Sequence, residues 1–547
     1  MATSAERGVP NDREIRAGLA SGDLDRVEEL FDGLWYDLAG RFASEVLRAV
    51  EKTPTGVFDA RPRLLHAVLL SYRCLTYRGL SDRHLHRALQ FYVVMGQRYS
   101  RRLSSFTHQG DLVTAGAAAV VSERIRRELG EAERIGAWTD AQVTLKREHL
   151  APPWAAAHPG ARPGWLSAER GFTAMLAGSQ DQATQLFSRA FAEAGEPPHA
   201  HYAGANAAAN LALLAAYRGH LDLARTWLKA LDRLGPLPDW IEHQTTLGAE
   251  IARALIAIDE SDPSTAALLL DRIGPATQPI ELWPFVALAG AYYEAHFGDP
   301  HRGLRVLDTA RQQHGALDPD TATMTGELVL RAEAKLLLRT GAGTRVLHLA
   351  ERHAEIEPLA LFAAWAHVLA GEVNEAMQLS AEMLQYGDLP INDQMGHHLV
   401  QATAHLRAEH RERARASFLA ATRLRSTPRQ VSPFLSLRDN DLDELARLAE
   451  VPNPLRDSAI ILRRNTPPPA PLVHLTPRER EVLQALSARQ TAEQAAAQFG
   501  VSVTTVRTQI RKIYQKLNVS HRTEAIAKAH DLGLIRTSRS TPQGRAG

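Results

Sequence analysis

The sequence predicts an all-α chain: a long array of helical hairpins followed by a small four-helix domain. Three observations carry this. Apolar residues recur at three- and four-residue spacing through most of residues 13–450, as at Leu211, Leu214 and Tyr217, or Leu330, Ala334 and Leu337. Gly and Pro fall mainly between such segments, and no convincing run of alternating apolar and polar β-branched residues occurs. A turn-plus-helix pattern repeats seven times before a proline-rich break.

Composition sets the outer bounds. The 547 residues are 45% hydrophobic and 23% charged, as in an ordinary soluble protein of more than one unit. With 63 Lys+Arg against 62 Asp+Glu, the chain as a whole is neither a polyanion-coating protein nor an acidic disordered one. Arg dominates the bases, with only seven Lys, and no mechanism follows from that. The single cysteine, Cys74, excludes a disulfide framework or a cysteine-based zinc cluster within one chain. It lies in the apolar-rich stretch Leu69–Leu75, so a buried structural role is expected. The first residues are polar, with no signal-peptide core. The longest apolar run, Pro358 to Ala370, falls short of the roughly 18 residues a membrane span needs. A cytoplasmic location without membrane contact is the expectation.

The repeat begins at Gly178 (GSQDQATQLF) and recurs at Gly219, Ser261, Gly298, Gly341, Gly371 and Glu409. In each copy a short turn precedes a helix bearing a small or β-branched residue: Ala183, Ala224, Ala266, Gly303, Val346, Ala376 and Ala414. Their separations are 41, 42, 37, 43, 30 and 38 residues. About 40 residues holds two helices and two turns, and the small residue lets the pair approach closely. One hairpin cannot bury its own face, so neighbours are expected to stack into a superhelix. This resembles tetratricopeptide-type repeats over about residues 165–427; a non-repeating all-α domain is the alternative. Weaker turn signals at Ser21–Leu24 and Arg78–Ser81 extend the helical pattern toward the N-terminus.

The hairpins end at Arg463-Arg464-Asn465-Thr466-Pro467-Pro468-Pro469-Ala470-Pro471, which cannot be helical and reads as an extended linker. The expected organisation is therefore an N-terminal helical region (1–160), hairpin repeats (161–455), a Pro-rich linker (456–471), a four-helix domain (472–536) and a disordered tail (537–547).

The four helices follow from their caps. Thr476-Pro477-Arg478-Glu479 is a capping box with Pro at the first helical position, opening a helix to about Ser487. Thr491-Ala492-Glu493-Gln494 is a second box, opening a helix that ends near Phe499. Gly500 supplies a left-handed turn residue. Ser502 caps a third helix, about Val503–Leu517, and a fourth runs from about Thr523 to Leu532. Val503, Val506, Ile510, Ile513 and Leu517 form the buried stripe of the third helix. Its other side carries Thr504, Thr505, Arg507, Thr508, Arg511, Lys512, Gln515 and Lys516. A cationic, polar helix face suits a DNA major groove, because Arg reads guanine bidentately and Thr meets a base edge or a thymine methyl. On its own the same stripe also fits a solvated charged face.

These residues carry a family resemblance. Leu475-Thr476-Pro477-Arg478-Glu479-Arg480-Glu481-Val482-Leu483, Gly500-Val501-Ser502, Thr505-Val506-Arg507, Ile513 through Val519, Arg522-Thr523-Glu524-Ala525 and Leu532-Gly533-Leu534 together resemble the LuxR-type helix-turn-helix. The resemblance implies a DNA-binding domain of a bacterial transcription regulator, whose third helix enters the major groove. It places Arg507, Thr508 and Arg511 toward bases, and Lys512 and Lys516 toward phosphates. It also implies dimers on two half-sites, joined through the last helix. Two departures stand out. Glu493 replaces a lysine near the DNA backbone, so weaker or differently placed phosphate contacts are expected unless Arg489 compensates, and Gln509 replaces a common histidine. The charge distribution agrees with the resemblance: residues 470–547 hold 12 Lys+Arg and five acids, a net +7, and the rest of the chain is −6.

Other motifs carry less. Gly341-Ala342-Gly343-Thr344-Arg345 lacks the lysine of a phosphate-binding loop and reads as a hairpin turn. Asn206 and Asn210, with Leu213 and Tyr217, lie at helical spacing and offer a peptide clamp, although a polar stripe or interhelix bonding explains them as well. His397, His398 and His405 lack the further ligands of a metal site. Asp439, Asp441, Asp443 and Glu450 mimic a calcium loop but have Glu444 where the sharp turn needs Gly, and they fit a helix start instead. No nucleophile–base constellation appears, so neither enzyme activity, cofactor nor metal is expected. The sequence points to a sequence-specific DNA-binding transcription regulator with a helical-repeat region that binds a peptide, protein or small ligand. The alternative is an interaction scaffold whose last domain dimerises without binding DNA.

Overall fold

The computed structural model describes residues 10–148, 162–196, 201–278, 280–317, 320–385, 389–456, 468–469 and 472–535. Most of the expected linker and all of the expected tail lie outside these residues. Within them the regular structure is entirely helical, with no strand. The helices are α1 (Asp12–Ala20), α2 (Leu24–Leu34), α3 (Tyr36–Val50), α4 (Pro62–Tyr77), α5 (Asp82–Ser100), α6 (Gln109–Ile125), α7 (Leu129–Glu148), α8 (Trp165–Leu176), α9 (Gln180–Ala194), α10 (Ala203–Tyr217), α11 (Leu221–Asp232), α12 (Asp239–Asp259) and α13 (Pro263–Ile273). They continue as α14 (Trp283–Phe297), α15 (Pro300–Gln313), α16 (Met324–Arg339), α17 (Gly343–Arg352), α18 (Leu359–Ala370), α19 (Val373–Met383), α20 (Ile391–Arg407), α21 (Arg411–Arg423), α22 (Asp439–Ala449), α23 (Pro477–Ser487), α24 (Ala492–Phe499), α25 (Val503–Leu517) and α26 (Arg522–Asp531).

The described residues fall into two compact units: residues up to 253 with 322–324, and 254–321 with 325 onward. In the first, one apolar core joins Ile15, Phe31, Phe42, Tyr99 and Val120 to Trp165, Ala203 and Ile241. It therefore runs across the position expected to separate the N-terminal region from the repeats. Cys74 is fully buried there, its Sγ 3.7 Å from the Gly40 carbonyl. The second unit has two cores, one built on residues 330–455 and one on residues 475–535.

The seven hairpins share a register finer than their 30–43-residue spacing. Every marker residue from Ala183 to Ala414 is the fourth residue of its helix. Ala183, Ala224, Ala266, Val346, Ala376 and Ala414 have no exposed surface. At the remaining marker, Gly303, an added Cβ would stand 2.6 Å from Leu336 Cδ2, so only glycine fits without a shift. The residue two before each helix is left-handed in six copies: Gly178, Gly219, Ser261, Gly341, Gly371 and Glu409. The next N–H then bonds the carbonyl five residues back, from Ser179 to Ala174 (2.9 Å) through His410 to His405 (2.9 Å). Such bonds satisfy carbonyls left over at a helix end. The exception is Gly298, at φ −116°, where the Asp299 N–H donates to the Glu294 carboxylate at 2.8 Å. The helices of a hairpin pack together, as α8 with α9, α10 with α11, α14 with α15, α18 with α19 and α20 with α21.

Several motifs resolve into structure. Gly341–Arg345 is a hairpin turn opening α17. Asn210 is buried and donates to the Asn206 carbonyl (2.9 Å) and its Oδ1 (3.2 Å), so the pair closes on itself within α10 rather than forming an open clamp. Asp439, Asp441 and Asp443 lie in α22, with Asp441 on Arg407 (3.1 Å) and Asp443 on Asn453 (2.6 Å). His397 is buried, 3.2 Å from Ser380 Oγ. Among the described residues no helix is long and apolar enough to cross a membrane.

Candidate nucleic-acid interface

The four C-terminal helices are held by local caps and one small core. Thr476 Oγ1 accepts from the Glu479 N–H (3.2 Å), and Glu479 Oε2 accepts from the Thr476 N–H (2.8 Å). Thr491 and Gln494 repeat this arrangement at the start of α24. Gly500 ends α24 in the left-handed region (φ 66°), and the Ser502 side chain accepts from the Thr505 N–H at 3.1 Å to open α25. Val482, Leu483, Leu486, Ala495, Val506, Ile513, Leu517, Ala525 and Ala529 form the core. Val503 and Ile510, the outer members of the expected stripe, are only partly buried. The fourth helix starts and ends one residue before its expected bounds, a displacement within ordinary end fraying.

All eight expected DNA-facing residues are exposed: Thr504, Thr505, Arg507, Thr508, Arg511, Lys512, Gln515 and Lys516. They are not equivalent. Arg511 and Lys512 form no ion pair among the described residues and present free charge. Arg507 is tied across the turn to Glu493, Nη2 to Oε1 at 2.9 Å. Lys516 reaches back to Glu479, Nζ to Oε2 at 2.6 Å. Thr505 is occupied with the Ser502 cap, the hydroxyls lying 2.8 Å apart, and Thr508 Oγ1 donates to the Thr504 carbonyl at 2.9 Å.

These pairs explain two shifted carboxyls. Burial acts to raise the Glu479 pKa, but the bonds from Lys516 and Thr476 outweigh it and hold the carboxyl below its usual range. Glu493 is held low first by its own backbone N–H, then by Thr491 and Arg507. Arg489 is exposed, left-handed at φ 62° and without an ion-pair partner among the described residues, the acid it was expected to offset included. Two further locks have no local signature in the sequence. Arg478 lies 4.4 Å over the Phe499 ring and donates to the Phe499 carbonyl (3.2 Å), and Arg522 donates to the Leu486 carbonyl (2.6 Å).

Residues 473–529 match the family model for bacterial regulatory proteins of the luxR family. This segment is a LuxR-type helix-turn-helix domain. A 99-residue stretch of the chain is 33% identical to the HTH-type transcriptional regulator MalT of Serratia proteamaculans (strain 568). The likeness to the MalT of Cronobacter sakazakii (strain ATCC BAA-894) is 32% over 99 residues. Each match covers 18% of this chain and 9% of the relative. The match thus spans less than a tenth of the length of these relatives. On its other side the domain meets the helical region through polar contacts. His474 bonds Glu372 (2.6 Å), the Val473 N–H donates to Thr344 Oγ1 (3.0 Å), and Arg480 faces Glu351 (3.4 Å). None involves α25, whose outer face stays open.

Proposed function

We propose that this chain is a sequence-specific DNA-binding transcription regulator in which α25 reads the major groove and the hairpin repeats sense a ligand or partner. The carrying observation is the outer face of α25: Arg511 and Lys512 unpaired and exposed on a helix whose opposite side is locked into its own core. Arg511 and Thr508 meet base edges, Arg507 joins them when it leaves Glu493, and Lys512 contacts phosphate. Lys516 acts mainly through Glu479. The regulator binds as a dimer on two half-sites, and its helical body ends near residue 455.

Selection of bound sequences from random duplexes tests this. Arg511→Ala should cost about 1–3 kcal/mol on the selected site and relax base preference at one position. A second reading, in which the LuxR-type domain dimerises without DNA, draws support from the Glu493–Arg507 pair, which occupies one base-reading candidate. It requires that no sequence be enriched.

A further inference from the structure

A cavity of about 530 Å³ lies among α3, α4 and α5, ahead of the first hairpin marker. That is within the range of small-molecule sites, roughly 300–1,000 Å³. Leu65, Leu69 and Tyr72 line it from α4, and His84, Ala88 and Phe91 from α5. Both sets fall at four- and three-residue spacing, so each is one helix face. The packing of α5 keeps the space open. Gly96 lets α5 lie so close to α6 that an added Cβ would stand 2.5 Å from the Ala118 carbonyl oxygen, and Ser122 Oγ donates to the Val93 carbonyl at 2.6 Å. α5 is thus held on α6. On its side toward α4, the small Ala88 sits between the larger His84 and Phe91 and leaves the gap unfilled.

One end of the slot is apolar, where Phe58 meets Phe91 edge to face with ring centroids 5.6 Å apart. At the other end Tyr72 and His84 stack at 6.4 Å. Leu65 and Tyr72 are seven residues apart on α4, so the slot is about 10 Å long. The charged side chains that line it are Arg48, Glu51 and Arg87, all exposed. Arg48 bonds the Ser44 carbonyl (3.3 Å) and shares Glu45 with Arg16, at 3.9 and 3.7 Å. Asp59, next to Phe58, is paired with Arg98 (3.0 Å). Arg87 makes no ion pair among the described residues, and neither does Glu51, which Lys52 follows in the chain. The Tyr72 hydroxyl makes no hydrogen bond among them. Two guanidinium groups, one carboxylate and one phenol hydroxyl therefore face the opening.

We infer that this cavity binds a small organic acid with an apolar body and a single carboxylate. The body lies against Leu65, Leu69, Ala88 and Phe91. The carboxylate takes the planar guanidinium of Arg87, whose fork matches it, and the hydroxyl of Tyr72. Glu51 at the opening repels a second negative charge, which sets one carboxylate as the limit. The site lies before the hairpin repeats, so it depends neither on their reading as a sensor nor on DNA binding.

Isothermal titration calorimetry on the full chain tests this, with 2-naphthoate as probe and 2-naphthamide as its uncharged counterpart. Naphthoate should bind about tenfold or more tighter than naphthamide, because the amide lacks the charge-assisted hydrogen bond. Arg87→Met should remove most of that preference and leave the naphthamide affinity unchanged. Arg87 is exposed, so this change spares the fold. Ala88→Trp should fill the slot and abolish binding of both probes, with the melting temperature as the check on folding. If that variant does not fold, Arg87→Met decides alone. No binding of naphthoate at millimolar concentration, equal affinity for the two probes, a preference that Arg87→Met leaves intact, or binding that a folded Ala88→Trp chain retains would overturn the site. So would tighter binding of 2-naphthylmethylammonium, which would make Glu51 the ruling charge.

Discussion

Glu479 does two jobs with one carboxylate. It closes the capping box of α23 and neutralises Lys516 on α25, so it fixes one helix and tethers the next. The capping box was legible because its partners lie three residues apart. The ion pair was not, because it joins residues 37 apart whose meeting depends on how two helices cross. Lys516→Met should therefore act chiefly on stability. It leaves a nearly buried carboxylate with one bond fewer, a cost of about 1–3 kcal/mol. For a domain of this size that lowers the melting temperature of residues 470–547 by about 4 °C or more. An unchanged melting temperature with a large loss of salt-dependent DNA binding would return Lys516 to the phosphate contacts. Glu493 is the opposite case: its pair with Arg507 is exposed and easily given up. Glu493→Gln removes a negative charge at the interface and frees Arg507, so it should tighten binding to duplex DNA at low salt, with a gain that shrinks as salt rises. Equal or weaker binding would mean that Arg507 does not serve the interface.

At the scale of elements, helix ends were easier to anticipate than what the helices face. Thr476, Thr491 and Ser502 bond backbone N–H groups within three residues, so the starts of α23, α24 and α25 follow from short-range chemistry. The hairpins were visible in their period and their small residues. Their shared left-handed turn was less so, because Ser261 and Glu409 fill it in two copies without being glycine. Ser432 Oγ donates to Asp259 across 173 positions, and no local pattern announces that bond. The fourth helical position is buried in every hairpin. Ala376→Leu there should destabilise the chain by about 1–3 kcal/mol through overpacking. The same change at the exposed Ala381, on the same helix, serves only as a check on composition. Comparable denaturation midpoints for the two variants would contradict the close approach assigned to the marker residues.

Across the whole molecule, the net charge of +1 divides into +7 in residues 470–547 and −6 elsewhere. Near-neutrality is thus the sum of a basic reader and a mildly acidic body, and it does not argue against DNA. If the body's charge limits non-specific contact, residues 470–547 alone should bind random duplex DNA more tightly than the full chain at low salt, and the difference should close as salt screens it. The central claim is that the open face of α25 reads DNA. Its most direct test is the affinity of the full chain and of its Arg511→Ala, Lys512→Ala double variant for an enriched duplex, measured across a salt series. A log–log salt dependence with a negative slope that is shallower in the variant is expected, together with at least a tenfold loss of affinity. No binding by the unaltered chain at low salt, or binding that the double variant leaves intact, would contradict it.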